Sequence, residues 1–464
     1  SERHASVKPG ADGFMEYPLN PTDKKNWSAS PNIRNAYRTL VPLAANGPWS
    51  QALGPTHLAW MFLGEPPPGL PRVTYPELWF VYRTNPAISF WDTGQVTDRM
   101  AQFPFVVALA YTRDETNHFA DILLPDQVDL ESLQLIYVGG SKYIEQFWKH
   151  EGYALRQPVV KPAVDARDFT DIATELAARA GLLEQYNNAI NRGAACMALS
   201  GGDFDFALDP AVQHSSEEIW DRMCRAASAE VTDGRTSEGL DWYREHGYRT
   251  RPISRLVWYL FPELRKQGIR FEMPYQERLL RVGAQLGNRL HEQGIKWWDT
   301  QLTEYQALPP YKDFPGIWER ETEAHGCKLE DYPFWLVTAR SMQFSWGSNV
   351  GIPVIDEVAG NLKGHRGVVI NARRARELGI DDGDIIEVHS YVGKTQGPAV
   401  LREGIRPDTL LMIGQFSHWA TPYAKDKKSP SMNPLLAMSM ALTDATGSSA
   451  DLVRVGVRRI GESG

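Results

Sequence analysis

Cysteine is scarce in this chain, and its spacing excludes two common uses of the residue. The 464 residues include 3 cysteines, and Cys196, Cys224 and Cys327 lie far apart with no Cys-x-x-Cys pair. A Cys-ligated iron–sulfur cluster needs four thiolates at close spacing, so this chain cannot build one alone. A disulfide framework is unexpected in so long and cysteine-poor a chain. We therefore expect three unrelated buried or half-buried thiols.

A surplus of positive charge and long apolar runs are also missing. The 49 Lys and Arg residues stand against 57 Asp and Glu, which gives a net charge of -8. A general nucleic-acid binder normally carries a basic surplus or stripe, so no nucleic-acid partner is expected. No run approaches the ~20 apolar residues that cross a bilayer. The HExxH, GxSxG, Walker A and GxGxxG motifs are absent as well, which disfavours the enzyme classes that depend on them.

A pattern of strand, helix and strand begins after residue 75. Leu78–Tyr82 is an apolar run of strand length, and a helix is predicted over Thr93–Gln102. Further strands are predicted over Phe105–Leu109 and Ala120–Pro125. This alternation is typical of a parallel sheet. Residues 1–72, which end in a Pro-rich stretch, are predicted to be irregular and rich in linkers.

The predicted secondary structure changes twice in the remaining sequence, at about residue 131 and after residue 333. Residues 131–330 are predicted to be mainly helical, with amphipathic spacing after Asp168 and a capping Ser near residue 216. After Pro333, six short strands and one short helix are predicted within about 130 residues. That pattern favours a closed barrel, because closure removes exposed strand edges. The predicted strands are 334–338, 367–370, 384–389, 397–401, 409–413 and 452–457, and the helix is 372–378.

Two candidate binding segments follow the α/β strands. Thr84 and Asn85 lie directly after the first strand, where loop N–H groups and short polar side chains suit a phosphate or a ribose. The alternative is that Asn85-Pro86 is simply a turn. Asp114 and Glu115 follow the second strand, where a carboxylate could accept two hydrogen bonds from a guanine. The alternative there is a solvated acidic loop.

Two further candidates lie at the ends of barrel strands. Arg340 stands among hydroxyl residues at the end of the first, which suits a phosphate or an oxyanion, although a surface ion pair is an equal alternative. His418 follows a later strand within a Gly-Gln-Phe-Ser-His-Trp segment. It could be a ligand or a proton relay, but a lone His is more often a satisfied hydrogen-bond partner.

Taken in order, these segments resemble the dimethyl sulfoxide reductase family of molybdenum and tungsten oxidoreductases. Val81–Pro86 is similar to the family's GxNP loop, and Asp114–Pro125 is similar to its TETxxxADxxLP segment. Thr338–Arg340 stands at the family's TGR position. Residues 370–384 resemble inPxxAxxlGixdGD, residues 433–435 resemble NxL, and residues 444–447 resemble DPxxG.

The resemblance implies a fold, a cofactor and a set of binding residues. The fold is α/β plus β-barrel: the end of a Rossmann-like parallel sheet (73–130), the helical segment (131–330) and a C-terminal double-psi β-barrel (331–464). The cofactor is bis-molybdopterin guanine dinucleotide with molybdenum or tungsten. Residues near one guanosine or its pyrophosphate would be Thr84, Asn85, Pro86, Asp114 and Glu115. Residues lining the cofactor from the barrel would be Thr338, Arg340, Ser341, Gln343, Asn371, His418 and Asn433.

The sequence departs from the family at several positions. Arg83 replaces the Gly of GxNP, so the loop must approach its ligand differently, and Ala110 stands where an Asp is common. Ala339 and Ala445 replace a Gly and a Pro. The family's [4Fe–4S] cysteines and its metal ligand belong to a region that this chain lacks. The resemblance therefore implies a fragment or one half of a split large subunit, with the cluster on the N-terminal half.

Two segments, residues 114–125 and 360–367, most resemble the polysulfide and thiosulfate reductase branch of the family and its phenylacetyl-CoA:acceptor oxidoreductase relatives. The expected function is thus two-electron oxidation or reduction of a substrate. The expected partners are the N-terminal half, an iron–sulfur electron-transfer subunit and a membrane anchor subunit. Two alternatives remain, which are a non-catalytic scaffold subunit that binds the dinucleotide and a non-redox hydratase of the same family.

Overall fold

A computed structural model describes residues 8–9, 15–16, 77–139, 150–193, 197–201, 204–252, 277–292, 294, 296, 299–308, 311–414, 417–439, 441–442 and 451–460. Most of the predicted irregular segment 1–72 lies outside these residues, as do Cys196 and residues 444–447. The chain divides into two compact units. The sheet unit comprises residues 1–40, 125–286 and 305–309, and the barrel unit comprises residues 41–124, 287–304 and 310–464.

The described residues form strands and helices with the following bounds. The strands are Lys8–Pro9 (β1), Met15–Glu16 (β2), Trp79–Tyr82 (β3), Val106–Ala110 (β4), Ile122–Pro125 (β5), Gln134–Gly139 (β6), His150–Arg156 (β7), Tyr248–Pro252 (β8), Phe334–Ala339 (β9), Val368–Asn371 (β10), Ile385–His389 (β11), Lys394–Arg402 (β12), Thr409–Ile413 (β13) and Leu452–Arg459 (β14). The α-helices are Pro86–Ser89 (α1), Thr93–Met100 (α2), Phe169–Arg179 (α3), Leu183–Asn191 (α4), Ser216–Val231 (α5), Leu240–His246 (α6), Glu277–Glu292 (α7), Asp299–Leu302 (α8), Phe314–Ala324 (α9), Pro353–Gly360 (α10) and Ala372–Glu377 (α11). Short 3-10 helices span Asn117–Phe119, Leu329–Asp331, Gly347–Gly351, Ala424–Lys427 and Asn433–Leu435. None of the described helices is long and apolar enough to cross a membrane.

In the described residues, the sheet unit combines helices α3 to α6 and the first part of α7 with an antiparallel sheet. Helix α3 begins at Asp168, whose side chain caps it, and α5 begins with a capping box formed by Ser215 and Glu218. Both helices lie where the sequence predicts them. The prediction of a mainly helical segment is nevertheless incomplete, because β6, β7 and β8 form a three-stranded sheet within it.

The missed strands are held by polar as well as apolar contacts. Glu151 on β7 lies directly opposite Arg251 on β8, and its Oε1 is 3.0 Å from the Arg251 Nε. Tyr137 on β6 donates its hydroxyl to the other oxygen of Glu151 at 2.9 Å. The polar sequences of β7 and β8 lack the apolar alternation on which a sequence-based strand prediction depends, and this explains their omission. The apolar run 135–138 of β6 is a strand signal that the prediction omits.

The C-terminal part of the barrel unit is a closed six-stranded barrel with the strand order β10-β12-β11-β14-β9-β13. All six predicted strands are present, and the prediction of a closed barrel is confirmed. Alternate side chains of β13 point inward, so Leu410 (0% exposed) and Met412 (1%) lie in the core. The barrel core also contains Leu336 and Val368.

The α/β part of the same unit is a three-stranded sheet in the order β3-β4-β5, in which β3 and β4 are parallel. The helices α1 and α2 connect these two strands. Ala87 on α1 packs with Val96 and Met100 on α2. The loops that leave β3 and β4 therefore lie at the same edge of the sheet.

Candidate functional site

The loop after β3 turns sharply into α1. Arg83 adopts a left-handed backbone with φ of 45°, a conformation that a Gly adopts without strain and other residues rarely adopt. This is the position at which the family motif has Gly. Asn85 precedes the helix and Pro86 is its first residue, where the fixed φ of Pro suits a helix start. Thr84 is exposed, Asn85 is half-buried and Pro86 is buried.

The carboxylate of Glu115, in the loop after β4, is fully buried at 0% exposure. Its Oε1 accepts hydrogen bonds from three successive backbone N–H groups in the loop 417–421, which follows β13. The distances to the nitrogens of Trp419, Ala420 and Thr421 are 2.9, 2.8 and 2.9 Å. Successive backbone N–H groups that converge in this way form an anion-binding concavity. Here its occupant is a side chain of the chain itself.

The second carboxylate oxygen of Glu115 accepts three side-chain hydrogen bonds. The donors are Asn85 Nδ2 at 2.8 Å, Thr421 Oγ1 at 2.9 Å and His418 Nδ1 at 3.2 Å. Asn85 in turn accepts from the Thr116 hydroxyl at 2.8 Å. We call these five residues, Asn85, Glu115, Thr116, His418 and Thr421, the Glu115 cluster.

The hydrogen bonds of the Glu115 cluster keep its carboxylate ionised. Burial alone would raise the pKa of Glu115. The hydrogen bonds from His418 and from the backbone of Thr421 and Ala420 outweigh burial and hold the pKa well below its usual range. An ionised carboxylate can only accept hydrogen bonds. The His418 nitrogen that faces Glu115, Nδ1, therefore carries a hydrogen. His418 thus matches the interpretation of a lone His as a hydrogen-bond partner.

A second link joins the α/β layer to the barrel unit's C-terminal part. Asn433 donates from Nδ2 to the Ile88 carbonyl at 2.7 Å, and its own carbonyl accepts from the Asp92 N–H at 3.1 Å. Asp92 caps α2 by accepting from Gln95 at 3.2 Å. These contacts fix the C-terminal end of α1 and the N-terminal end of α2 beside the 3-10 helix that contains Asn433.

Two adjoining cavities lie beside these links and form one cleft. Their volumes are about 400 Å³ and about 710 Å³. Both are lined by Lys394, Ser417, Trp419 and Pro434. The smaller cavity is also lined by Ala87, Ile88, Thr93, Gly94, Thr97, Phe119 and Ser431, and the larger by Thr395, Gln396, His418, Lys425, Asp426, Lys428 and Ser429.

The chemistry of this cleft suits a polyanion with an aromatic group. Lys394, Lys425 and Lys428 contribute ammonium groups, and only Asp426 among the lining residues carries a carboxylate. Serine and threonine hydroxyls add hydrogen-bond donors that can reach phosphate oxygens. Trp419 is 45% exposed, so part of its indole faces the cleft, where a planar base could stack.

The structure brings some of the predicted site residues together. Asn85, Glu115 and His418 share one cluster, and Pro86 and Asn433 hold the adjacent helix. Of the twelve predicted residues, His418 lines the cleft directly. Asn85, Pro86, Glu115 and Asn433 do not line the cleft. Of these, Glu115 and Asn433 are hydrogen-bonded to the lining residues Trp419 and Ile88.

Thr84 and Asp114 lie in the loops after β3 and β4, and the other five predicted residues lie elsewhere on the barrel. Thr338 donates its hydroxyl to the Met412 carbonyl at 3.1 Å. Ser341 accepts from the Phe344 N–H at 3.1 Å. Asn371 caps α11 and donates to the Ile405 carbonyl at 2.8 Å. Two residues of the loop after β9 complete the set: Arg340, which is exposed, and Gln343, which is half-buried.

The lysines, serines and threonines of the cleft are not among the site residues predicted from the sequence. A signal was present for two of the lysines, because Lys425-Asp426-Lys427-Lys428 is a short basic run. Lys394, which lies at the start of β12, carries no such signal. Within the described residues, no group of three or more His, Cys, Asp or Glu side chains is arranged to hold a metal ion.

Asp114 yields a pH-dependent prediction. Burial, together with the nearby Glu115 charge, raises its pKa from 3.8 to about 6 against the opposing hydrogen bond from the Asn117 N–H. Because the pKa is higher in the folded state, ionisation of Asp114 costs stability that appears as the pH rises from about 4 to about 6. We expect Asp114→Asn to be about 1 kcal/mol more stable than the wild type at pH 7, after allowance for solvent screening. Urea unfolding at pH 4 and pH 7 checks this, and a difference that persists at pH 4 would contradict it.

Comparisons with known proteins agree with this arrangement. A family model described as Molybdopterin oxidoreductase matches residues 68–179, and one described as Molydopterin dinucleotide binding domain matches residues 334–449. The thiosulfate reductase molybdopterin-containing subunit PhsA of Salmonella typhimurium is 23% identical over 359 residues, covering 75% of this chain and 39% of that protein. The trimethylamine-N-oxide reductase of Haemophilus influenzae is 24% identical over 344 residues, covering 74% and 36%.

A solved structure shows the same fold. The acetylene hydratase of Pelobacter acetylenicus has a TM-score of 0.54 and 14% identity, and the alignment covers 94% of this chain and 50% of that one. The chain spans about two fifths of the length of the curated relatives it matches. The two family matches include the α/β strands, the Glu115 cluster and five of the six barrel strands. The chain thus carries two regions, residues 68–179 and 334–449, that match the domain models of molybdopterin oxidoreductases.

Proposed function

We propose that this chain is one part of a molybdenum- or tungsten-dependent oxidoreductase, and that its cleft holds the dinucleotide portion of bis-molybdopterin guanine dinucleotide. The observation that carries the proposal is the composition of the cleft. Its lining combines Ala87, Ile88, Thr93 and Phe119 from the first matched region with residues of the second. Three lysines surround the part that the second region supplies.

The residues present fit such a group. A pyrophosphate requires cationic and hydroxyl donors, which Lys394, Lys425, Lys428 and the neighbouring serines supply. A guanine requires a planar surface, which the exposed part of Trp419 offers. The cavity volumes lie within the ~300–1,000 Å³ that small-molecule and cofactor sites occupy. When bound, the metal and its pterins carry the two-electron chemistry, and this chain's residues bind and orient the nucleotide.

The length of the relatives supports the proposal of a partner half. Since this chain spans about two fifths of them, we propose that a further, N-terminal half carries the [4Fe–4S] cluster and the metal ligand. An iron–sulfur electron-transfer subunit and a membrane anchor subunit are proposed as its partners, and a double-psi connection is proposed for the barrel. The two curated relatives are reductases by name. Neither name mentions phenylacetyl-CoA. The proposed activity is therefore two-electron redox chemistry on a small substrate, without phenylacetyl-CoA as a named substrate.

The three cleft lysines provide the test. We expect the triple variant Lys394→Gln/Lys425→Gln/Lys428→Gln to bind the cofactor at least about a hundredfold more weakly, because each charged hydrogen bond to phosphate contributes about 1.5–3 kcal/mol before solvent screening. The variant is purified with its natural partner subunits. Guanosine monophosphate released by acid and metal from elemental analysis are then measured per mole of enzyme.

A matched control separates local binding from net charge. Lys161→Gln/Lys328→Gln/Lys363→Gln removes the same charge from exposed positions that do not line the cleft. This control is expected to keep its nucleotide and its metal. Equal cofactor contents in the two triple variants would contradict the assignment of the cleft.

A further inference from the structure

The loop 417–421 forms part of the cleft wall, and its backbone is held by a residue outside the loop. Ser417, His418 and Trp419 line the cleft, and the backbone N–H groups of residues 419–421 all turn away toward Glu115. Glu115 lies some three hundred positions earlier in the chain, at the end of the α/β sheet. The shape of the wall therefore depends on a carboxylate outside the barrel.

We propose that Glu115 is a positioning residue that holds the loop 417–421 in the conformation that binds the nucleotide. The inference rests on the proposed function of the cleft and adds a role that is distinct from direct ligand contact. Both carboxylate oxygens of Glu115 are occupied by protein donors, and the side chain is fully buried. Glu115 thus acts on the nucleotide through the loop.

Because Glu115 occupies the concavity formed by the N–H groups of residues 419–421, these groups do not bind the phosphates of a nucleotide. Three converging N–H groups would be an attractive site for a phosphate, but Glu115 already neutralises them. A second anion beside that carboxylate would be repelled. The N–H groups of residues 419–421 are therefore occupied by Glu115, and Lys394, Lys425 and Lys428 provide the positive charge on the cleft side.

The segment that carries Glu115 also orients the Trp419 ring. His118 meets the indole edge-on with a centroid distance of 5.0 Å, and Phe119 does so at 6.3 Å. The backbone of Trp419 is bound to Glu115 at 2.9 Å. Backbone and ring are thus fixed by one stretch of five residues, so a change at Glu115 is expected to move the surface on which the base would stack.

The primary test compares Glu115→Gln with the wild type in the natively purified enzyme. The amide is nearly isosteric, but it lacks the charge and places a donor among donors. Hydrogen exchange is followed by mass spectrometry in peptides that contain residues 418–421. We expect these amides to exchange at least about tenfold faster in the variant, and guanosine monophosphate to be lost on dialysis at least about tenfold faster.

A milder pair of variants keeps the test informative if Glu115→Gln folds poorly. Thr421→Val removes the hydroxyl that donates to Glu115 at 2.9 Å, whereas Thr421→Ser retains it. We expect faster loop exchange and faster nucleotide loss for Val, and restoration of both by Ser. Equal behaviour of the two variants would overturn the inference.

A stability control excludes a general loss of structure. Asp313→Ala removes the side-chain cap of α9, and neither Asp313 nor its partner Gly316 lines the cleft. It is expected to lower stability and leave loop exchange and nucleotide retention unchanged. Normal nucleotide retention in Glu115→Gln despite faster exchange would overturn this inference alone. Absence of guanosine monophosphate from the wild-type enzyme would overturn the proposed function as well.

Discussion

Replacement of Asp356 by Ala is expected to destabilise the barrel unit by about 3 kcal/mol, because it leaves two cations beside a buried space that held a carboxylate. Asp356 on α10 is 1% exposed. Its Oδ1 lies 2.7 Å from an Arg366 nitrogen, and its Oδ2 lies 3.0 Å from the Lys427 Nζ. The Tyr423 hydroxyl donates to Oδ2 at 2.9 Å.

The pH dependence of this group has a definite sign. Burial raises the pKa of Asp356, but hydrogen bonds from Lys427, Arg366 and Tyr423 outweigh it and lower the pKa below its usual value of 3.8. The stabilisation is therefore present above pH ~4 and is lost as the pH falls below that value. Hydrogen exchange of the slowest barrel amides measures the effect. Glu377→Ala is the control: it removes surface ion pairs with Arg373 and Arg374 and is expected to cost less than about 1 kcal/mol. Equal losses of stability in the two variants would contradict the assigned role of Asp356.

Two neighbouring leucines on β13 test the register of the barrel. Leu410 is 0% exposed and lies in the core, whereas Leu411 points to the opposite face and is half-buried. Leu410→Ala is expected to cost about 2–5 kcal/mol, since the cavity it leaves adds to the lost transfer free energy. Leu411→Ala is expected to cost less than about 1.5 kcal/mol, because it removes less buried surface.

Urea unfolding of both leucine variants, followed by the exchange of barrel amides, gives the comparison. The pairing of Leu411 with Val337 and Val369 on the neighbouring strands fixes which leucine faces inward. A one-residue shift of β13 would exchange the two faces. A larger loss for Leu411→Ala than for Leu410→Ala would therefore contradict the barrel register.

The barrel could be predicted from the sequence because each of its strands has a local signal. Val368–Asn371 and Thr409–Ile413 are apolar runs of strand length, and the Asp381-Asp382-Gly383 turn separates the short helix from β11. The strands β7 and β8 have no comparable signal, whereas the apolar run 135–138 of β6 is a local signal that the strand prediction omits. The sequences of β7 and β8, with their Glu151–Arg251 pair, are those of polar strands whose partners lie far apart in the chain.

The candidate site was predictable only in part, for a related reason. The resemblance identified Asn85, Glu115 and His418 as residues of interest, but their mutual contacts depend on the fold of the barrel unit. The sequence places Asp114 and Glu115 in a loop where a carboxylate could accept from a guanine, whereas the structure surrounds Glu115 with donors from the loop 417–421. Lys394, isolated in sequence, reaches the cleft because β12 begins beside Ser417 and Pro434.

The most direct test of the account is the cofactor content of the natively purified enzyme that contains this chain. Elemental analysis and acid release of guanine nucleotide are performed on the same preparation. The account predicts molybdenum or tungsten near one atom per enzyme, with about two guanosine monophosphates for each metal, as expected for a cofactor with two pterin dinucleotides. A correctly assembled enzyme with neither metal, pterin nor guanine nucleotide would contradict the central claim.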